Sequence, residues 1–126
     1  MKKILVVDDS SFMRNSLKEV FAKNFKGPTA VCIVEAETRA KALEVLRKET
    51  PDVVLLDIVM REGEREGVKF LQEIRMAKNK TPVLMLTAVG QEAITEECNK
   101  LGIAGYILKP FDETKVGNVM KRVAAD

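Results

Sequence analysis

The stretch Pro51-Asp52-Val53-Val54-Leu55-Leu56-Asp57 decides how this chain folds. Four consecutive aliphatic residues follow a proline and stop on a carboxylate. A strand with one wet face alternates apolar with polar residues, whereas a strand covered by helices on both sides reads as a continuous Val/Leu run. The same signature recurs at intervals of roughly 25 residues, in Ile4–Val7, Ala30–Val34, Val83–Leu86 and Tyr106–Leu108. Between these runs lie segments of helical length with apolar stripes. Phe12, Ser16, Leu17, Val20 and Phe21 form the first stripe, Ala42, Leu43 and Leu46 the second, and Val68, Leu71 and Ile74 the third. Ile94, Cys98 and Leu101 form the fourth, and Val116, Val119, Met120 and Val123 the fifth.

The punctuation agrees. Gly27-Pro28 closes the first helix, Thr38 can cap the second, and Pro51 and Thr81-Pro82 lead into strands. Gly102 stands where a left-handed C-terminal cap is expected. The pattern is (βα)₅, an α/β fold with a five-stranded parallel sheet and helices on both faces. No linker, repeat or low-complexity tract interrupts it, so residues 1–126 read as one domain.

Composition narrows the function. With 46% hydrophobic and 32% charged residues in 126, the chain can bury a core without metal or disulfide staples. Twenty-one basic against 19 acidic residues give a net charge of +2, too balanced to predict nucleic-acid or membrane binding. Lys69, Arg75, Lys78 and Lys80 are interrupted by Glu73, and the chain has no Trp and one Tyr, so this basic cluster reads as a solvated face. The absence of histidine excludes Ser-His-Asp and Cys-His nucleophile activation and His-ligated zinc. Cys32 and Cys98 read as core residues of a reduced, cytoplasmic protein. No apolar run approaches the roughly 20 residues of a membrane span, and the N-terminal run is too short for a signal peptide.

The residues that follow the strands carry the chemistry. Asp8 and Asp9 end the first, Asp57 the third, Thr87 the fourth and Lys109-Pro110 the fifth. In a parallel α/β sheet the strand C-termini share one edge, where ligands bind. Three carboxylates, a hydroxyl and an ammonium therefore converge. Like charges about 4 Å apart repel by about 4 kcal/mol at an effective dielectric near 20. Either some carboxylates protonate or a divalent cation joins them, and an all-oxygen set favours Mg²⁺, with Mn²⁺ as the alternative. A carboxylate among such neighbours is suited to accepting a phosphoryl group.

Val6-Val7-Asp8-Asp9, Pro51 to Asp57, Thr87-Ala88 and Lys109-Pro110-Phe111 together resemble the receiver domain of two-component response regulators, the CheY-like family, over essentially the whole chain. The resemblance implies a flavodoxin-like, doubly wound sheet of order 2-1-3-4-5. It implies that Asp57 is the phosphoacceptor, taking its phosphoryl group from the phosphohistidine of a histidine kinase or histidine phosphotransfer protein. It implies a metal shell of Asp8, Asp9, Asp57 and the backbone carbonyl of Val59. Lys109 would pair with the carboxylate and then with a phosphoryl oxygen, its bond to Pro110 cis. Thr87 and Tyr106 would act as switch residues, Thr87 on the phosphoryl group and Tyr106 by turning inward. That would redraw the face of helix 4, strand 5 and helix 5 for a downstream protein target or a homodimer.

Two departures stand out. Arg61 replaces the family's usual proline after Met60, and Gly67 arrives about two residues late, so a longer, charged loop is expected over Arg61–Glu66. Val59 and Val89 stand where the family borders the path of attacking water, and neither can orient one, so slow loss of the phosphoryl group is expected. The chain ends just after the fifth helix, which fits a stand-alone regulator or a receiver excised from a longer one. The rival reading, an Mg²⁺-dependent aspartyl-phosphate phosphatase, would need an acid where Val59 stands. A flavodoxin-like cofactor binder would want a phosphate loop after the first strand, where Asp8 and Asp9 repel phosphate.

Overall fold

The five apolar runs form one parallel sheet in the order β2-β1-β3-β4-β5. The computed structural model describes residues 2–58, 60, 63, 65–109 and 112–124, the side chains of 29, 113, 120 and 122–124 excepted. Along the chain the elements are β1 (Lys2–Val7), α1 (Ser11–Asn24), β2 (Val31–Ala36), α2 (Arg39–Glu49) and β3 (Val53–Asp57). They continue with α3 (Glu66–Met76), β4 (Val83–Thr87), α4 (Glu92–Leu101), β5 (Gly105–Leu108) and α5 (Glu113–Ala124). The expected fold and strand order are those observed.

Alternation of side chains explains why the runs are apolar throughout. Leu5, Val7, Val54, Leu56, Val83 and Met85 face one layer with residues of α2, α3 and α4. Ile4, Val6, Val53, Leu55, Leu84 and Leu86 face the other with residues of α1 and α5. The central strands β3 and β4 are buried at every residue. The edges are not. Val31 to Glu35 of β2 are half-buried, Cys32 among them, and in β5 the outward Tyr106 and Leu108 are exposed while Ile107 is buried. Coverage thins but persists at the β2 edge, where Val34 packs on one layer and Val31 and Ile33 on the other, whereas at β5 Tyr106 and Leu108 stay exposed.

Caps mark where the helices begin and end. Ser10 Oγ accepts the Met13 N–H at 3.2 Å to start α1, and Thr38 Oγ1 accepts the Lys41 N–H at 3.1 Å to start α2. Gly102, at φ +103°, ends α4 with its N–H on the Cys98 carbonyl at 3.1 Å. Phe12 corrects the first apolar stripe. It is 77% exposed, because the face that α1 buries carries Leu17, Val20 and Phe21. Val116 of the fifth stripe is buried and Val119 packs against the core, while the side chains of Met120 and Val123 lie outside the described residues. Among the described residues no helix is long and apolar enough to cross a membrane.

Candidate functional site

Among the described residues the buried polar side chains are Asp8, Asp57 and Thr87, all at the C-terminal edge of the sheet. The parallel register brings them together. Val7 lies opposite Leu56, so the residues after both strands emerge side by side. Leu86 lies opposite Asp57, which sets Thr87 beside the same crevice. Carboxylate oxygens of Asp8, Asp9 and Asp57 lie within 4.8 Å of one another. Lys109, one residue past β5, returns over this edge. Its N–H donates to the Thr87 carbonyl at 2.6 Å and its ammonium meets Asp57 Oδ1 at 3.1 Å. Thus Asp8, Asp9, Asp57, Thr87 and Lys109 do converge as the sequence led us to expect.

Tyr106 does not join them. Its side chain is 58% exposed and lines a groove of about 360 Å³ between β5 and α4, which Thr87 reaches from the other end. Val89 is 80% exposed at the same groove. The Val59 carbonyl, the Lys109–Pro110 bond with Phe111, and Arg61, Glu62 and Glu64 lie outside the described residues. Of the loop, the described residues show a bridge between Met60 and Gly63, with the Gly63 N–H on the Met60 carbonyl at 2.9 Å, and Arg65 donating through two N–H groups to the carboxylate of Glu97 on α4, both at 2.7 Å.

The carboxylates are held against their own repulsion. Asp8 Oδ1 accepts the Ser10 N–H at 2.9 Å, while Oδ2 is buried without a hydrogen-bond donor among the described residues. Burial pushes the Asp8 carboxyl above its ordinary value. The Ser10 N–H and the Lys109 ammonium oppose that rise, and the Asp9 charge adds to it. A buried acceptor without a donor, inside an all-oxygen set of three carboxylates, fits a hard divalent cation of the Mg²⁺ or Mn²⁺ kind.

Several supports lay beyond the sequence reading. Arg14, one turn into α1, donates to the Asp8 carbonyl at 2.6 Å and to Glu35 Oε1 at 2.9 Å, bracing the end of β1. Glu35 is a lone charge inside an apolar run, which is the signal that could have found it. Arg75, read as part of a solvated face, instead donates to the Gly102 carbonyl at 2.9 and 3.1 Å and ties α3 to the end of α4. Gly67 matters most. A Cβ there would lie 2.7 Å from the carbonyl oxygens of both Asp57 and Ile58, so α3 sits directly on the backbone that bears Asp57. Gly67, late in the sequence as it is, still makes this close approach.

Known proteins resemble this chain. The family model for the response regulator receiver domain matches residues 4–121. The chain is 36% identical to chemotaxis protein CheY of Halobacterium salinarum over 122 residues, covering 97% of this chain and 96% of that one. It is 34% identical to CheY of Bacillus subtilis, covering 90% of each. Among solved structures, chemotaxis response regulator CheY4 of Vibrio cholerae superposes with a TM-score of 0.82 at 27% identity, covering 98% of each chain. With acidic strand ends, a lysine returning from β5 and a family match across nearly its whole length, the chain belongs to the CheY-like receiver domains of two-component response regulators.

Proposed function

We propose that this receiver, a single domain over residues 1–126, accepts a phosphoryl group on Asp57 from a phosphohistidine of a histidine kinase or histidine phosphotransfer protein. The observation that carries the reading is the ion pair of Lys109 Nζ with Asp57 Oδ1 at 3.1 Å, set against the Asp8–Asp9–Asp57 cluster. A carboxylate oxygen of Asp57 attacks phosphorus. The P–N bond breaks with its electron pair leaving on the donor imidazole, and an acyl phosphate forms. Asp8, Asp9 and Asp57, with the Val59 carbonyl, would hold Mg²⁺ or Mn²⁺, whose charge offsets that of the carboxylates and the phosphoryl oxygens. Lys109 transfers its ammonium from the carboxylate to a phosphoryl oxygen, and Thr87 supplies a hydroxyl donor. The groove of about 360 Å³ beside Tyr106 gives its ring room to turn inward. That change would reshape the α4–β5–α5 face for a downstream protein or a second copy of the chain.

The protein works as a switch and catalyses only its own phosphorylation and dephosphorylation. An aspartyl-phosphate hydrolase is disfavoured because Val59 offers no acid two positions after Asp57. The test is incubation with acetyl phosphate and Mg²⁺, read by intact mass. Wild type gains one adduct of about 80 Da and Asp57→Asn gains none. Equal labelling of the two would overturn the site assignment.

A further inference from the structure

The Thr87 hydroxyl is already engaged. It lies 2.8 Å from Thr95 Oγ1 and 3.4 Å from Gln91 Oε1, both contributed by the start of α4. A threonine hydroxyl has one proton to donate. Thr95 Oγ1 donates to the Gln91 backbone carbonyl at 2.9 Å, which leaves its oxygen as the acceptor for Thr87. If Thr95 instead donates to Thr87, the Thr87 proton falls to Gln91 Oε1. In both arrangements it points to α4. Gln91 Oε1 also takes the Ala88 N–H at 2.8 Å, so two donors at the end of β4 face α4.

Thr87 is 3% exposed, so its hydroxyl leaves one partner only for another, since an unpaired buried donor is costly. A phosphoryl oxygen on Asp57 is such a partner. We propose that Thr95 is a positioning residue that competes with the phosphoryl group for the Thr87 hydroxyl, and so sets how readily the receiver is phosphorylated. This rests on Asp57 being the phosphoacceptor. Thr95 touches neither Asp57 nor its phosphoryl group in this scheme and acts through Thr87. Release of the Thr87–Thr95 bond also removes one of the ties between the first turns of α4 and the end of β4, which links acceptance to the groove that both threonines line.

The test compares rates of adduct formation from acetyl phosphate in Mg²⁺, followed by intact mass. Thr95 is half-buried, and valine keeps its shape while removing the hydroxyl. Loss of one hydrogen-bond competitor predicts about a two- to tenfold faster rate for Thr95→Val. Thr95→Ser, which restores the hydroxyl, returns to the wild-type rate. In a Thr87→Ala background the valine substitution has no effect, because nothing remains to be released. An unchanged rate in Thr95→Val, or the same acceleration without the Thr87 hydroxyl, overturns the proposal while the phosphoacceptor reading stands. Absence of adduct in every variant, wild type included, overturns both.

Discussion

Helices α3 and α4 lie next to each other on the same face of the sheet and are nearly equal in length, at 11 and 10 residues. They share ties, Arg75 to the Gly102 carbonyl among them, but lean on the sheet differently. α3 buries Gly67, Val68, Phe70, Leu71 and Ile74, and through Gly67 it rests on the backbone of Asp57 and Ile58. α4 buries Cys98, and its first turns are tied to the end of β4 by hydroxyl and amide hydrogen bonds from Thr95 and Gln91. Close packing tolerates little movement, since a displaced apolar side chain leaves a void. A hydrogen bond can be exchanged for another of similar strength without opening the core. The Asp57 side of the crevice is therefore built to stay still, and the Thr87 side to change partners.

The largest effect that can break this contrast is on stability. Phe70→Ala should cost about 3–5 kcal/mol, since the ring is fully buried. Ile94→Ala on α4, where the side chain is half-buried, should cost only about 1 kcal/mol. Urea unfolding of the two variants measures both, and equal losses would erase the distinction. Next comes Gly67→Ala. Alanine favours a helix over glycine by about 1 kcal/mol, yet the added methyl meets two carbonyl oxygens of a strand end that cannot yield. A net loss of about 1–3 kcal/mol, with slower labelling of Asp57, is expected. A stabilised Gly67→Ala protein would mean that α3 does not bear on the end of β3.

The smallest effect sharpens the electrostatic side of the comparison. Because burial raises the Asp8 carboxyl, the folded state holds that proton more tightly than the unfolded chain does. Its contribution to stability is therefore full below the ordinary carboxylate value and is lost as pH rises through the raised one. In Mg²⁺-free buffer at pH 7, Asp8→Asn should stabilise the fold by about 1 kcal/mol, the low end of the cost of a buried acceptor without a donor. Thermal unfolding at a series of pH values should show the gain shrinking as pH falls toward 4.

The layout of the sheet could be read along the chain because each buried strand is a Val/Ile/Leu run and each strand end carries its own polar residue. Asp8, Asp9, Asp57, Thr87 and Lys109 converge because parallel strands share an edge, a rule that needs no coordinates. The strand order came only with the family resemblance, since nothing in an apolar run says which neighbours it pairs with. For the same reason the half-buried β2 and the exposed Tyr106 and Leu108 of β5 looked like the central strands in sequence. Phe12 matched the helical stripe by spacing, yet the residues α1 buries begin only at Leu17. The Arg14–Glu35 brace and the Thr87–Thr95 bond join residues of different elements, and depend on how a helix is rotated against a strand end. Periodicity does not carry that rotation.

Hydrogen exchange read by peptide mass spectrometry tests most directly whether exchangeable bonds hold the Thr87 side. The receiver would be kept phosphorylated with acetyl phosphate and Mg²⁺ and compared with Asp57→Asn under the same conditions. Amides of residues 87–101 should exchange faster once the adduct is present, as α4 loses its tie to Thr87, while those of 66–76 keep their protection. Equal loss of protection in the two helices, or no change over 87–101 in fully phosphorylated protein, would contradict the account.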